Sequence, residues 1–240
     1  MNEQFEIFIK QFDLNEKNIK KKYDHSLRVQ KICEALATSE NYNKENYTLA
    51  SLIGLLHDYG RFYQWQKYKT YEDKDSIDHG DYAVERLFEN NEIKKFYNNK
   101  NNYNLIYEAI KYHNKYEVPK TVESKELCNI IRDADKLDIL YMYTIGELTL
   151  REQGEISDEV KEIFYSHKLL DNKYINSNVD ITIRTLCLIY ELNFNYSYKY
   201  LKENQIIEKM YNKLKNKEKL KPYFEEINRY IERKTGDEKC

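Results

Sequence analysis

Apolar residues recur at intervals of three and four along nearly the whole chain, and alternating polar and apolar stretches are almost absent. With only 6 glycines and 2 prolines to interrupt 240 residues, this periodicity predicts an all-α protein. Helices are expected near residues 15–40, 44–59, 76–90, 102–114, 124–145, 158–169, 179–192, 205–214 and 222–234. The first five form a helical bundle, and the later ones are additional C-terminal helices whose faces, such as Ile206, Ile207, Met210 and Leu214, suit packing.

Several polar residues fall on those apolar stripes. His25 precedes Val29, Ile32, Cys33 and Leu36 at helical spacing, and His57 follows Leu49, Ala50 and Ile53. Asp58 follows Leu55, and Gly60 is expected to stop that helix. His113 shares a face with Leu105, Ile106, Ala109 and Ile110, and Asp135 with Leu127, Cys128, Ile131, Ile139 and Met142. His79 lies with Tyr82, Ala83 and Leu87 near a helix start, where Asp78 is a natural cap. An unpaired polar group on a buried face is costly. Any one of these residues alone reads as a hydrogen-bonded core residue, but the set together reads as a metal site. Its nitrogen and oxygen donors, without thiolate, favour a divalent transition metal: Fe, Mn, Co, Ni or Zn. Because ligand imidazoles must be neutral, occupancy is expected to fall as the pH passes down through the histidine range.

Size and charge add limits. The length suits a single compact unit, with a core over 1–150 and a C-terminal helical layer over 151–240, joined at 151–157 around Gly154. Lys plus Arg number 39 against 41 Asp plus Glu, a formal charge of -2, so neither a nucleic-acid polymer nor a membrane is an expected partner; a homo-oligomer is compatible. Cys33, Cys128, Cys187 and Cys240 are scattered, which suits reduced thiols in a cytoplasmic protein. Residues 1–10 carry Glu3 and Glu6, unlike a signal peptide, and the apolar run 49–56 is too short to span a bilayer. His167 stands apart from the set and reads as structural; Trp65, Tyr68 and Tyr71 read as core or as a cover for the site.

His25, the doublet in Leu55-Leu56-His57-Asp58-Tyr59-Gly60-Arg61, His79, His113 and the acid in Arg132-Asp133-Ala134-Asp135-Lys136 resemble the HD-domain superfamily of metal-dependent phosphohydrolases over about residues 20–145. The resemblance implies that His25, His57, Asp58 and Asp135 bind a first ion. It implies for His79 and His113 either a second ion, with Asp58 bridging, or contact with a substrate phosphate. Arg61, in place of the usual Lys after HDxG, and Lys136 would orient phosphate. The implied function is hydrolysis of a small phosphorylated substrate, a nucleotide by family resemblance, through metal-activated water at His57 and Asp58. The alternatives are a mixed-valent di-iron oxygenase of the same fold and a non-catalytic sensor of nucleotide or metal.

Overall fold

The computed structural model describes residues 1–236, and Cys240 lies outside them. Among the described residues there is no strand, and the chain is all-α. Its contacts divide it between Asp135 and Lys136. The division falls inside one long helix whose apolar stripe runs on unbroken, so no glycine, proline or polar run marks it.

The first unit comprises α1 (Asn2–Ile9), α2 (Lys17–Ser39), α3 (Lys44–Leu56), α4 (Tyr59–Tyr68), α5 (His79–Val84, continued by a π-helical turn to Glu89), α6 (Tyr103–Tyr112) and the start of α7 (Lys125–Ile145). Two elements depart from expectation. Helix α1 was not anticipated, although Phe5, Phe8, Ile9 and Phe12 fall at helical spacing and are all buried. Helix α4 begins immediately after Asp58, so Gly60 lies inside a helix instead of ending one. The two additions meet each other: Phe8 stacks on Tyr59 with ring centroids 4.0 Å apart and packs edge-on to Phe62 at 5.6 Å.

Close approach of backbones explains the glycines of this unit. A Cβ on Gly54 would lie 2.9 Å from both Cys33 Sγ and Gln30 Cα, so α3 can press against α2 only without one. At Gly60 the same atom would meet the carbonyl oxygen of His79 at 2.5 Å, which brings the start of α5 against α4. Arg132 on α7 donates to the carbonyls of Tyr112 (3.2 Å), His113 (3.4 Å) and Lys115, satisfying the orphan acceptors at the end of α6.

The second unit holds the rest of α7 with α8 (Asp158–Tyr165), α9 (Asn178–Cys187), α10 (Asn195–Glu203), α11 (Ile206–Asn212) and α12 (Lys221–Thr235). Ser177 and Asp180 form a reciprocal capping box that starts α9. His167 packs within this unit: its Nε2 lies 3.0 Å from Glu226 Oε1, and its ring lies 5.0 Å from those of Tyr190 and Tyr230. Cys33, Cys128 and Cys187 are unpaired and buried, and burial raises all three thiols, that of Cys187 to about 12. No described helix is long and apolar enough to cross a membrane.

Candidate metal centre

Helix ends place two of the histidines. His57 is the C-cap of α3 and His113 the C-cap of α6, where the last-turn carbonyls have no helical partner. Each ring turns back and gives its Nδ1 proton to the carbonyl three residues earlier, His57 to Gly54 at 2.8 Å and His113 to Ile110 at 2.6 Å. A carbonyl can only accept, so in each neutral imidazole the proton sits on Nδ1 and Nε2 is a bare lone pair. His79, the first residue of α5 after its Asp78 cap, is held in the same tautomer by Asp73, whose Oδ2 lies 2.6 Å from Nδ1. Its Nε2 is bare as well.

Those lone pairs converge. His79 Nε2 lies 3.0 Å from His113 Nε2, and His57 Nε2 lies 3.2 Å from His25 Nε2. No proton is available between His79 and His113, because burial keeps both rings neutral: it lowers His79, and it lowers His113 to about 3 with His79 and His57 adding to the effect. Burial likewise lowers His57. Four imidazoles that are each at least 95% buried are thus aimed at one another.

Asp58 stands between the two pairs, and its two oxygens are divided. Oδ2 lies 3.5 Å from His25 Nε2 and 3.6 Å from His57 Nε2; Oδ1 lies 3.6 Å from His79 Nε2 and 3.9 Å from His113 Nε2. Asp135 Oδ1 joins the first group, 3.1 Å from His25 Nε2 and 3.8 Å from His57 Nε2. The helix break makes this possible: neighbours on a continuous helix diverge by about 100°, but Asp58 has left helical geometry at φ -95 and ψ 18.

Two donors about 2.1 Å from one ion are separated by roughly 3.0–3.4 Å at octahedral or tetrahedral angles. The observed separations are close to that, and facing lone pairs in a dry site are repulsive without a cation. The donors therefore fit ions. Two clusters with metal-ligating geometry, His25 with His57 and Asp135, and His57 with Asp58 and His113, lie in this centre. A third, Asp73 with Asp78 and His79, is otherwise engaged: Asp73 bonds His79 and Arg61, and Asp78 caps α5 and pairs with Lys115.

Burial raises the Asp58 carboxyl, yet its neighbours, Lys22 foremost, then His57, His79 and Arg61, carry it well below the usual range. Asp135 is lowered against its burial by His25 and then His57.

All six expected ligands are thus brought together. Arg61 lies beside the centre, its Nε 3.6 Å from Asp58 Oδ1, but its Nη1 is tied to Gln64 (2.7 Å), the Tyr71 carbonyl (2.6 Å) and Asp73 (2.7 Å). Lys136 opens the second unit, where its Nζ lies 3.5 Å from the Glu191 carbonyl. Two residues were not anticipated. Lys22 donates to Asp58 Oδ2 at 2.7 Å, and Asp73 orients His79. The position of Lys22 one turn before His25 was a usable signal, masked by its place in a run of three lysines; Asp73 sits in a short 3-10 turn, where periodicity carries no information.

The sequence comparison that matched agrees with this geometry. Residues 23–140 match the family model of the HD domain. This segment is an HD domain. It contains every donor described above, and the domain defines a superfamily of divalent-metal-dependent phosphohydrolases. Neither the comparison with curated proteins nor that with solved structures gave a match.

Proposed function

We propose that the HD domain is a phosphohydrolase that binds two divalent transition-metal ions and hydrolyses a small phosphorylated substrate, with nucleotides the first class to test. The observation that supports it best is the division of Asp58, one oxygen toward His25 and His57 and the other toward His79 and His113. In this reading His25, His57, Asp135 and Asp58 Oδ2 hold one ion, and His79, His113 and Asp58 Oδ1 the other. When bound, the ions supply an acidified water and positive charge for the phosphoryl oxygens.

The chain's own residues do the rest. The carbonyls of Gly54 and Ile110 and the carboxylate of Asp73 keep three imidazoles in the tautomer that presents Nε2. Burial of the histidines excludes competing water. Arg61, anchored through Nη1, keeps positive charge beside Asp58 and would orient the phosphate.

The test is phosphate release from a panel of nucleotides, cyclic nucleotides and sugar phosphates, with Mn, Co, Fe, Ni and Zn supplied in turn. Metal-dependent release should be lost in His57→Ala and Asp58→Ala, with helical content retained. Full activity in either variant would remove the proposal. A bridging carboxylate between histidine pairs also suits two iron ions acting on dioxygen. Iron-dependent oxygen uptake without phosphate release would put that reading first.

A further inference from the structure

Lys22 is a cation bonded to one of the candidate metal ligands. It points from α2 into the centre, its Nζ 2.7 Å from the Asp58 oxygen that also faces His25 and His57. Its side chain is 17% exposed against 3% for Asp58, so it reaches the carboxylate from the rim. There it passes the ring of Tyr71, with Nζ 5.4 Å from the centroid, and the Arg61 guanidinium lies 5.6 Å from the same centroid. Tyr71 is itself fixed, its hydroxyl donating to the Asn18 carbonyl at 2.9 Å, one turn before Lys22 on α2. Nearby Lys20 instead pairs with Asp24.

We infer that Lys22 is a resident counter-cation of the metal-free centre, which an arriving ion displaces from Asp58 and which then serves the anionic phosphoryl group. The inference rests on the two-ion reading above. Asp58 Oδ2 is buried beside His25 and His57, and without an ion a buried carboxylate needs a positive partner, which Lys22 supplies. A divalent ion at the same oxygen repels the ammonium and outcompetes its single charge. The displaced side chain has a flexible four-carbon stem and an aromatic face along which to move, and the ligand that would hold it next is a phosphate oxygen.

The experiment titrates Mn²⁺ into metal-free wild type, Lys22→Met and Lys22→Arg, followed by inorganic phosphate binding to each Mn²⁺-loaded protein. Lys22→Met should bind Mn²⁺ roughly tenfold more tightly and phosphate roughly tenfold more weakly, the scale on which groups bordering a metal site act. Lys22→Arg should stay near wild type in both. Equal or weaker Mn²⁺ binding by a folded Lys22→Met overturns the inference. A wild type that takes up no ion of any kind sinks the two-ion reading instead. Should Lys22→Met not fold, wild type alone decides the question: an amine-reactive reagent read by peptide mass should modify Lys22 readily only after Mn²⁺ is added. Reactivity unchanged by Mn²⁺ overturns the inference.

Discussion

At the scale of residues, the centre depends on which ring nitrogen carries the proton, and three acceptors decide it. Two are backbone carbonyls that substitution cannot remove. The third is the Asp73 side chain, drawn well below the usual carboxylate range against its burial by His79 and then Arg61. Asp73→Ala should therefore free the His79 ring and weaken metal binding by about 10- to 100-fold, while Asp73→Asn, which keeps an acceptor oxygen, should fall between. Calorimetric titration of metal into the two variants checks the order; equal affinities would mean that the carboxylate does not orient the ring. The candidate ligands were legible in the sequence because each sits on an apolar stripe where a polar group is conspicuous. Lys22 and Asp73 were not, because a lysine in a basic run and an acid in a short turn look like ordinary solvated positions. Arg61 was legible as a cation near the doublet, but its bonds to Gln64, Tyr71 and Asp73 depend on a loop that periodicity does not describe.

At the scale of elements, the histidine-aspartate doublet works because a helix ends there and another starts at once. A Gly at position 60 suggested a stop, and the stop occurs three residues earlier, with the glycine needed for contact between α4 and α5. Gly60→Ala places a methyl group 2.5 Å from the His79 carbonyl oxygen, a backbone atom that cannot swing aside. The substitution should cost about 1–3 kcal/mol as overpacking, read as a lower urea midpoint at unchanged slope. Because α5 carries His79, it should also reduce bound metal toward one ion per chain, measured by elemental analysis. Full occupancy at reduced stability would separate the packing role from the positioning role. The unexpected α1 shows the converse limit: its Phe5, Phe8 and Ile9 had helical spacing, but eight residues are too few for periodicity to stand out, and burial against Tyr59 and Phe62 is what holds the helix.

At the scale of the whole molecule, the buried imidazoles link stability to pH. His57, His79 and His113 are lowered by burial from the ordinary 6.5, His113 to about 3, so the folded chain stays unprotonated there while the unfolded chain takes up protons. Wherever the unfolded state binds more protons, stability rises with pH. The metal-free protein should thus hold its full histidine contribution above about pH 6.5 and lose it as the pH falls from there toward 3. Asp58, Asp73 and Asp135, lowered below the ordinary 3.8, add a further loss that starts only near that value and continues beneath it. The same shifts move the pH range in which protons compete with metal. Occupancy, expected to fall through the ordinary histidine range, should begin its fall lower, because His57, His79 and His113 are already neutral in the folded site. Urea midpoints of metal-free and Mn²⁺-loaded protein across the acid range test both statements. Saturation at a hundred times the dissociation constant adds about 2.7 kcal/mol, and that gap should persist to about pH 6 even as the metal-free midpoint declines. A gap that closes at the ordinary histidine value would mean that the rings take up protons in the folded chain, and that Nε2 is not held bare for an ion.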